Sequence, residues 1–463
     1  MNFLELLQVL GGNIWIYGGT FLLILSLLVF VHEWGHYIVA RWCGVKVETF
    51  SIGFGKEIAG FEDKKGTRWK IALIPLGGYV KLFGDVDPAS AAHEDSVEDK
   101  KTGKKRKLTK KERDVAFFAK PVWQRMAVVF AGPAINYIFA IIVLTLLFSI
   151  NGQPVTAPSA AAVMGGSSAE KHGFMPHDTV LSIDGKKIKS FEDIRREMMI
   201  SLDQKRHFVI DRNGQTVDIY AQPEKVETED RFGFKHSRGL LGLISPRHAV
   251  DIKTIQTIEG QSFKDADGDK IRRALERRMD KMFTIEVMRG SETDTLIVKP
   301  LAEANKDIAN EESPDYNLLF IASREGNIFV RYNPFVALGK ATAESWSITQ
   351  GTFEALGQIV MGTRSATELG GIIRIGALAG DMAQQGFIAL CLFTALLSIN
   401  LGFINLMPIP LLDGGHLVFY TFELILGKPI PDQIQEYAFR LGLMFLVGIM
   451  VFANLNDLMQ LIL

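Results

Sequence analysis

Apolar residues in this chain are gathered at its two ends. Runs at roughly 15–40, 125–150, 386–411 and 436–461 each approach the ~20 residues that a bilayer core asks of a helix, and the charge lies between them. In lipid every main-chain polar group must be satisfied within the structure, so such runs can only be helices. The 463 residues therefore read as a polytopic α-helical membrane protein with about four transmembrane helices. The composition is 48% hydrophobic and 22% charged with a formal net charge of -1, which gives no bulk affinity for nucleic acid. Two cysteines, Cys43 and Cys391, supply no disulfide framework. No Lys or Arg precedes the first apolar run, unlike a cleavable secretory signal.

The loops orient the spans. Residues 1–14 carry no basic residue, whereas 41–125 is rich in Lys and Arg and falls in the cytoplasm by the positive-inside rule. Both termini and the large 151–385 region are then extracytoplasmic, and a short loop, 412–435, returns to the cytoplasm. Within 41–125, V-K-V-E-T-F-S-I-G-F-G and R-W-K-I-A-L-I-P-L-G-G-Y-V-K-L-F-G read as strands broken by Gly and Pro. They are apolar enough to enter the membrane where protein or a wet cavity satisfies their backbone. Residues 85–120 are charge-dense without a period and read as a flexible cytoplasmic loop. Their interleaved Asp and Glu argue against a nucleic-acid patch.

The first apolar run ends in V-H-E-W-G-H, residues 31–36. Four-residue spacing on a helix puts His32 and His36 on one face, where both imidazoles can hold a single zinc ion. Glu33 lies beside them, placed to take a proton from water at such a centre. Ionisable groups in a membrane helix are costly unless they are used.

A second cluster ends the third run: I-N-L-G-F-I-N-L-M-P-I-P-L-L-D-G-G-H, residues 399–416. The third run enters from outside and the first does too, so Asp413 and the HEWGH motif share a cytoplasmic-side depth. Two His and one carboxylate make a three-ligand zinc site with an open fourth position. His416 is a rival third ligand. Pro408 and Pro410 break the helix, and Asn405 can line a polar cavity there. In the second run, A-G-P-A-I-N places Gly132 for close approach of a neighbour, Pro133 inside the helix, and Asn136 at membrane depth in need of a partner. Asn136 serves either helix packing or the site.

Residues 151–245, with a turn, a short helix, a strand near 179–183 and a turn at Asp184-Gly185, resemble a PDZ domain of bacterial envelope proteases. Pro176-His177-Asp178 stands where that family usually has glycine before the aspartate. Residues 246–330 echo a degenerate second module of the same kind. Residues 331–385 read as a juxtamembrane amphipathic region, with a helix over 335–361 on the outer membrane face.

Together, HEWGH, A-G-P-x-x-N, the PDZ-bearing insert and N-x-x-P-x-P-x-x-D-G resemble the site-2 protease family, in its bacterial regulator-of-sigma-E protease branch, over essentially the whole chain. The resemblance implies a membrane-embedded zinc metalloprotease core split between residues 1–150 and 386–463. It implies His32, His36 and Asp413 as ligands, Glu33 as catalytic base and Asn405 as a substrate-positioning residue. It also implies a membrane-associated hairpin around Gly77, Gly78 and Tyr79. Its expected partners are the lipid bilayer and single-span substrates of the bacterial inner membrane, such as trimmed anti-sigma factors and signal-peptide remnants. Gly370-Gly371 departs from the family's frequent Gly-Pro. A peptide-binding scaffold with a decayed metal motif and a zinc transporter are the other classes the sequence leaves in view.

Overall fold

The computed structural model describes residues 15–84, 96–98, 105–229, 234–246, 249–264, 268–289, 292–306, 308, 316–322 and 328–462. Residues 1–14 and, in the charged loop 85–120, residues 85–95 and 99–104 lie outside this set. Among the described residues, four helices are long and apolar enough to cross a membrane: Trp15–Trp42, Val122–Ile150, Phe387–Asn405 and Gln433–Gln460. The first is a π turn, Trp15–Gly19, that runs into helix α1, Thr20–Trp42.

Strands β1 (Val47–Glu62) and β2 (Arg68–Leu82) follow α1 and pair antiparallel. They fold over themselves: Phe50 of β1 faces both Trp69 and Val80, so the 78–82 stretch forms one edge and the 57–62 stretch the other. The fold-over needs glycine. Gly77 has φ 110°, and a Cβ there would fall 2.5 Å from the Phe54 ring. Phe54, Ile58, Phe61, Ile71, Leu73 and Ile74 are exposed and give these strands an apolar surface.

The end of the charged loop is more ordered than its composition suggests. Thr109 and Glu112 form a capping box that starts a turn of helix, Lys110–Asp114. Ala116 and Phe117 then bury beside Ala40, Val47 and Val128. Helix α2, Val122–Ile150, carries Pro133 within it and lies against α1, where Gly35 meets the Ala131 carbonyl closely enough that a Cβ would stand 2.4 Å away.

The insert holds two cores. In chain order its elements include β3 (Ala162–Met164), β4 (Thr179–Ile183), β5 (Lys186–Lys187), α3 (Phe191–Ile200), β6 (Arg206–Arg212), β7 (Gln215–Ala221) and β8 (Leu243–Ile244). These continue into β9 (Ile255–Ile258), β10 (Gln261–Ser262), α4 (Gly268–Glu276), β11 (Phe283–Arg289) and β12 (Glu292–Val298). One sheet has the order β7-β6-β4-β5 and the other β8-β3-β12-β11-β9-β10, so β3 and β8, early and late in the first half, complete the sheet of the second. The two halves are thereby stitched together. His177 occupies the left-handed region, φ 73°, where glycine is ordinarily used, and its Nε2 donates to the Lys299 carbonyl at 2.7 Å. Beside it Asp178, 1% exposed, receives Arg212 and the Met175 N–H. That hydrogen bonding holds the Arg212 guanidinium above its ordinary value.

The 335–361 helix is α5, Pro334–Val360. Its small residues Ala337 and Ala341 pack into a cluster with Ala140 and Leu144 of α2. Helix α6, Ile372–Gln384, begins on Gly371, whose N–H donates to the buried Asp457 at 2.9 Å; a proline there would lack that donor. Helix α7 spans Phe387–Asn405 and stops short of 411, because Pro408 and Pro410 disfavour helix before them. The segment expected to be a loop, 412–435, is mostly helix: α8 runs over Asp413–Leu426 and ends on Gly427 at φ 67°. Asp432–Ile462 forms α9.

Candidate metal centre

Helix α1 delivers His32, Glu33 and His36 from one stretch, and α8 delivers Asp413 as its first residue. The preceding turn is strained, with Leu411 at φ 90°. It is packed so tightly that a Cβ on Gly414 would lie 2.2 Å from the Met407 carbonyl. The fixed turn aims Asp413 at the two histidines, and the partial positive charge of the helix N-terminus favours its carboxylate.

The three side chains converge through one donor atom each. His32 Nε2 and His36 Nε2 are 3.2 Å apart. Asp413 Oδ2 is 3.2 Å from His32 Nε2, and Oδ1 is 3.6 Å from His36 Nε2. A tetrahedral zinc ion with bonds of ~2.0–2.1 Å sets its ligands about 3.3–3.4 Å apart, so this spacing fits the ion. The opposite ring atoms are spoken for. His36 Nδ1 donates to the Val128 carbonyl at 2.9 Å, which leaves a lone pair on Nε2. His32 Nδ1 lies 3.1 Å from the Asn136 side-chain amide. The nearer amide atom is Nδ2, while Asn136 Oδ1 is buried without a partner; ligation through Nε2 would put the proton of His32 on Nδ1, and a half-turn of the amide would then let Oδ1 accept it. Two nitrogen lone pairs directed at one another repel unless a cation lies between them. Asp413 Oδ2 is buried without a hydrogen-bond partner, as a carboxylate oxygen that would ligate such a cation is.

Helix α2 forms the back of the site. Val128, Gly132 and Asn136 recur every four residues and share one face. Gly132 sits against the imidazoles: a Cβ there would lie 2.2 Å from His36 Nε2 and 2.9 Å from His32 Cε1. The sequence reading assigned Gly132 to helix packing, and the neighbour it admits is the ligand pair itself. The signal was the matching four-residue spacing of 132/136 and 32/36.

On the other side β2 crosses Glu33. A Cβ on Gly78 would lie 3.4 Å from Glu33 Cγ and 2.7 Å from Val29 Cγ1. Gly77 makes the turn into this crossing. Tyr79 stacks on Phe54 with centroids 6.1 Å apart. Asn405 ends α7, half-buried, just before the proline break. His416 is turned elsewhere, its ring 4.9 Å from that of Phe439. The donor cluster among the described residues is His32, His36 and Asp413.

Four membrane-length helices around a cluster of two histidines and an aspartate that could hold a metal, with an adjacent glutamate, define the class of a multi-pass membrane metalloprotease. The chain belongs to peptidase family M50, whose family model matches residues 20–449. It is 35% identical over 442 residues to a protein of Agrobacterium fabrum named as a zinc metalloprotease, covering 96% of this chain and 95% of that one. It is 31% identical to the metalloprotease MmpA of Caulobacter vibrioides, over 95% of this chain and 94% of that one. It is also 31% identical to the regulator of sigma E protease of Haemophilus influenzae, over 96% and 98%. The protein is thus a zinc metalloprotease, and neither a scaffold nor a transporter describes it.

Proposed function

We propose that this protein is an intramembrane endopeptidase that hydrolyses peptide bonds within the transmembrane segments of single-span proteins already trimmed by another protease, such as anti-sigma factors or signal-peptide remnants. The observation that carries this reading is the convergence of His32 and His36, on a membrane-length helix, with Asp413, which opens the short helix that follows the third such helix, beside Glu33.

Zinc held by His32, His36 and Asp413 supplies Lewis-acid activation of water and of the scissile carbonyl. Glu33 accepts the proton of the attacking water and passes it to the leaving amide nitrogen. Asn136 and the Val128 carbonyl fix the two imidazoles in the ligating tautomer. A helical substrate hides its carbonyls in i to i+4 bonds and must be drawn out to react. The 78–82 edge of the folded-over sheet, with Gly77, Gly78 and Tyr79, offers a free strand beside Glu33 onto which the unwound segment adds. Asn405 positions the substrate backbone from the opposite side.

The protein lies in the bacterial inner membrane with its termini and the 151–385 insert outside and the metal centre toward the cytoplasm. The basic 41–125 segment supports that orientation. The exposed apolar side chains of β1 and β2 support a membrane-associated hairpin. The 151–245 and 246–330 units act as PDZ-like modules that keep out substrates with bulky ectodomains.

Glu33→Gln tests the reading. Zinc stays bound, since Glu33 is not a ligand, while cleavage of a model transmembrane substrate falls ~10²–10⁴-fold. Cleavage at the wild-type rate by the zinc-loaded variant would remove Glu33 from the mechanism.

A further inference from the structure

Arg125 and Glu423 form an ion pair that the proposed chemistry does not use. Arg125 Nη2 donates to Glu423 Oε1 at 2.6 Å, and the two side chains are only 9% and 14% exposed. Arg125 Nε also donates to the Lys120 carbonyl at 3.0 Å, and the guanidinium lies over the Tyr420 ring, 4.9 Å from its centroid. Charges this far from water are retained where both partners are satisfied and the geometry they fix has a use.

Their placement indicates that use. Arg125 stands one turn before Val128, whose carbonyl orients His36, on the helix that also carries Gly132 and Asn136. Glu423 stands on α8, whose first residue is Asp413, about 15 Å further along at 1.5 Å per residue. At its start α8 is pinned by the close packing of Gly414 and Gly415 on the 406–410 backbone. Toward its end Val418, Phe422, Leu424, Ile425 and Leu426 are exposed, while the Phe419 ring meets that of Phe439 on α9 with centroids 5.6 Å apart. Tyr420, with Leu417 beside it, packs into a buried cluster with Val128 and Val129 of α2, and both Tyr420 and Glu423 meet Arg125.

We propose that the Arg125/Glu423 pair is a positioning clamp for the metal centre. It fixes the helix that carries the third ligand against the helix that orients the first two, and so sets zinc affinity from outside the coordination sphere. The inference rests on His32, His36 and Asp413 being the ligands.

The experiment is chelator-competition zinc binding by the full chain in detergent, together with the visible absorption spectrum of the Co2+-substituted protein. Arg125→Ala and Glu423→Ala should each weaken zinc ~10–100-fold, as loss of outer hydrogen-bond partners does, and change the cobalt bands. Arg125→Lys should recover part of the loss, and exchange of the charges (Arg125→Glu with Glu423→Arg) should recover more than either reversed residue alone. Arg364→Ala breaks a second buried pair, Arg364 with Glu368, 13% and 8% exposed, and should leave zinc unchanged. Wild-type affinity and spectrum in Arg125→Ala and Glu423→Ala would overturn the proposal. So would an equal loss in Arg364→Ala, or no recovery in both Arg125→Lys and the exchanged pair. Asp413→Ala separates the two readings: if it keeps zinc, the ligand assignment falls; if it loses zinc while the clamp variants do not, only the clamp falls.

Discussion

Replacing Gly132 by alanine adds one methyl group to a helix that contributes no ligand, and it should empty the metal centre. The new Cβ would stand 2.2 Å from His36 Nε2 and 2.5 Å from His36 Cε1. Non-bonded heavy atoms settle at about 3.5 Å or more, so the ring or the helix must yield by more than ~1 Å. Metal–ligand distances tolerate ~0.2 Å, several times less than that displacement. If the ring moves, Nε2 leaves the ion. If α2 moves, the bonds from His36 to Val128 and from His32 to Asn136 lengthen instead. Both routes degrade the site, and the overpacking itself costs about 1–3 kcal/mol. Zinc affinity should fall by at least ~100-fold, beyond the usual effect of losing an outer partner, and cleavage should fall with it. Gly339→Ala is the matched control, since nothing lies within 4 Å of a Cβ at that helical position. Chelator competition on the two purified variants decides the matter. A Gly132→Ala protein that binds zinc within about threefold of wild type and still cleaves would show that the imidazoles are not held as described.

Three further outcomes are expected. Asn136→Ala removes the partner of His32 Nδ1 and should weaken zinc ~10–100-fold, read by the same competition assay; no change would detach Asn136 from the centre. His177→Gly and His177→Ala both lose the bond to Lys299, but only alanine retains the left-handed strain. The glycine variant should therefore be the more stable by ~1–2 kcal/mol in denaturant unfolding, and equal stabilities would mean that the turn relaxes. Cysteines at Ser96 and Ser190, probed with an impermeant reagent in intact spheroplasts, should label at 190 and not at 96; the reverse pattern would invert the topology.

The membrane helices were legible because spans of ~20 apolar residues have few other solutions in lipid. The two histidines were legible because four-residue spacing is local. Asp413 needed a further step, an argument from shared depth, since a lone Asp before two glycines has nothing local to mark it. Helix α8 was read as a loop. At 14 residues it is too short to span a bilayer and opens on D-G-G, although Asp413 in its first turn and Gly427 after its last residue are ordinary start and stop signals. The crossing of β3 and β8 into the second sheet was invisible for a different reason: three- and two-residue strands carry no period, and only tertiary pairing selects their partners. The role of Val128 was out of reach altogether, because it acts through a main-chain carbonyl that every residue has.

The proposed ligands come from the two ends of the chain, His32 and His36 in the first membrane helix and Asp413 after the third. At a synthesis rate of 5–20 residues per second, on the order of half a minute separates their emergence from the ribosome. Through that interval the nascent chain holds two donors, half a coordination sphere, and the 151–385 insert is made before the third arrives. On the proposed ligand set, this metalloprotease is therefore inert while its own helices are still being threaded. On that set, a chain that stops anywhere before residue 413 reaches the membrane without a complete centre.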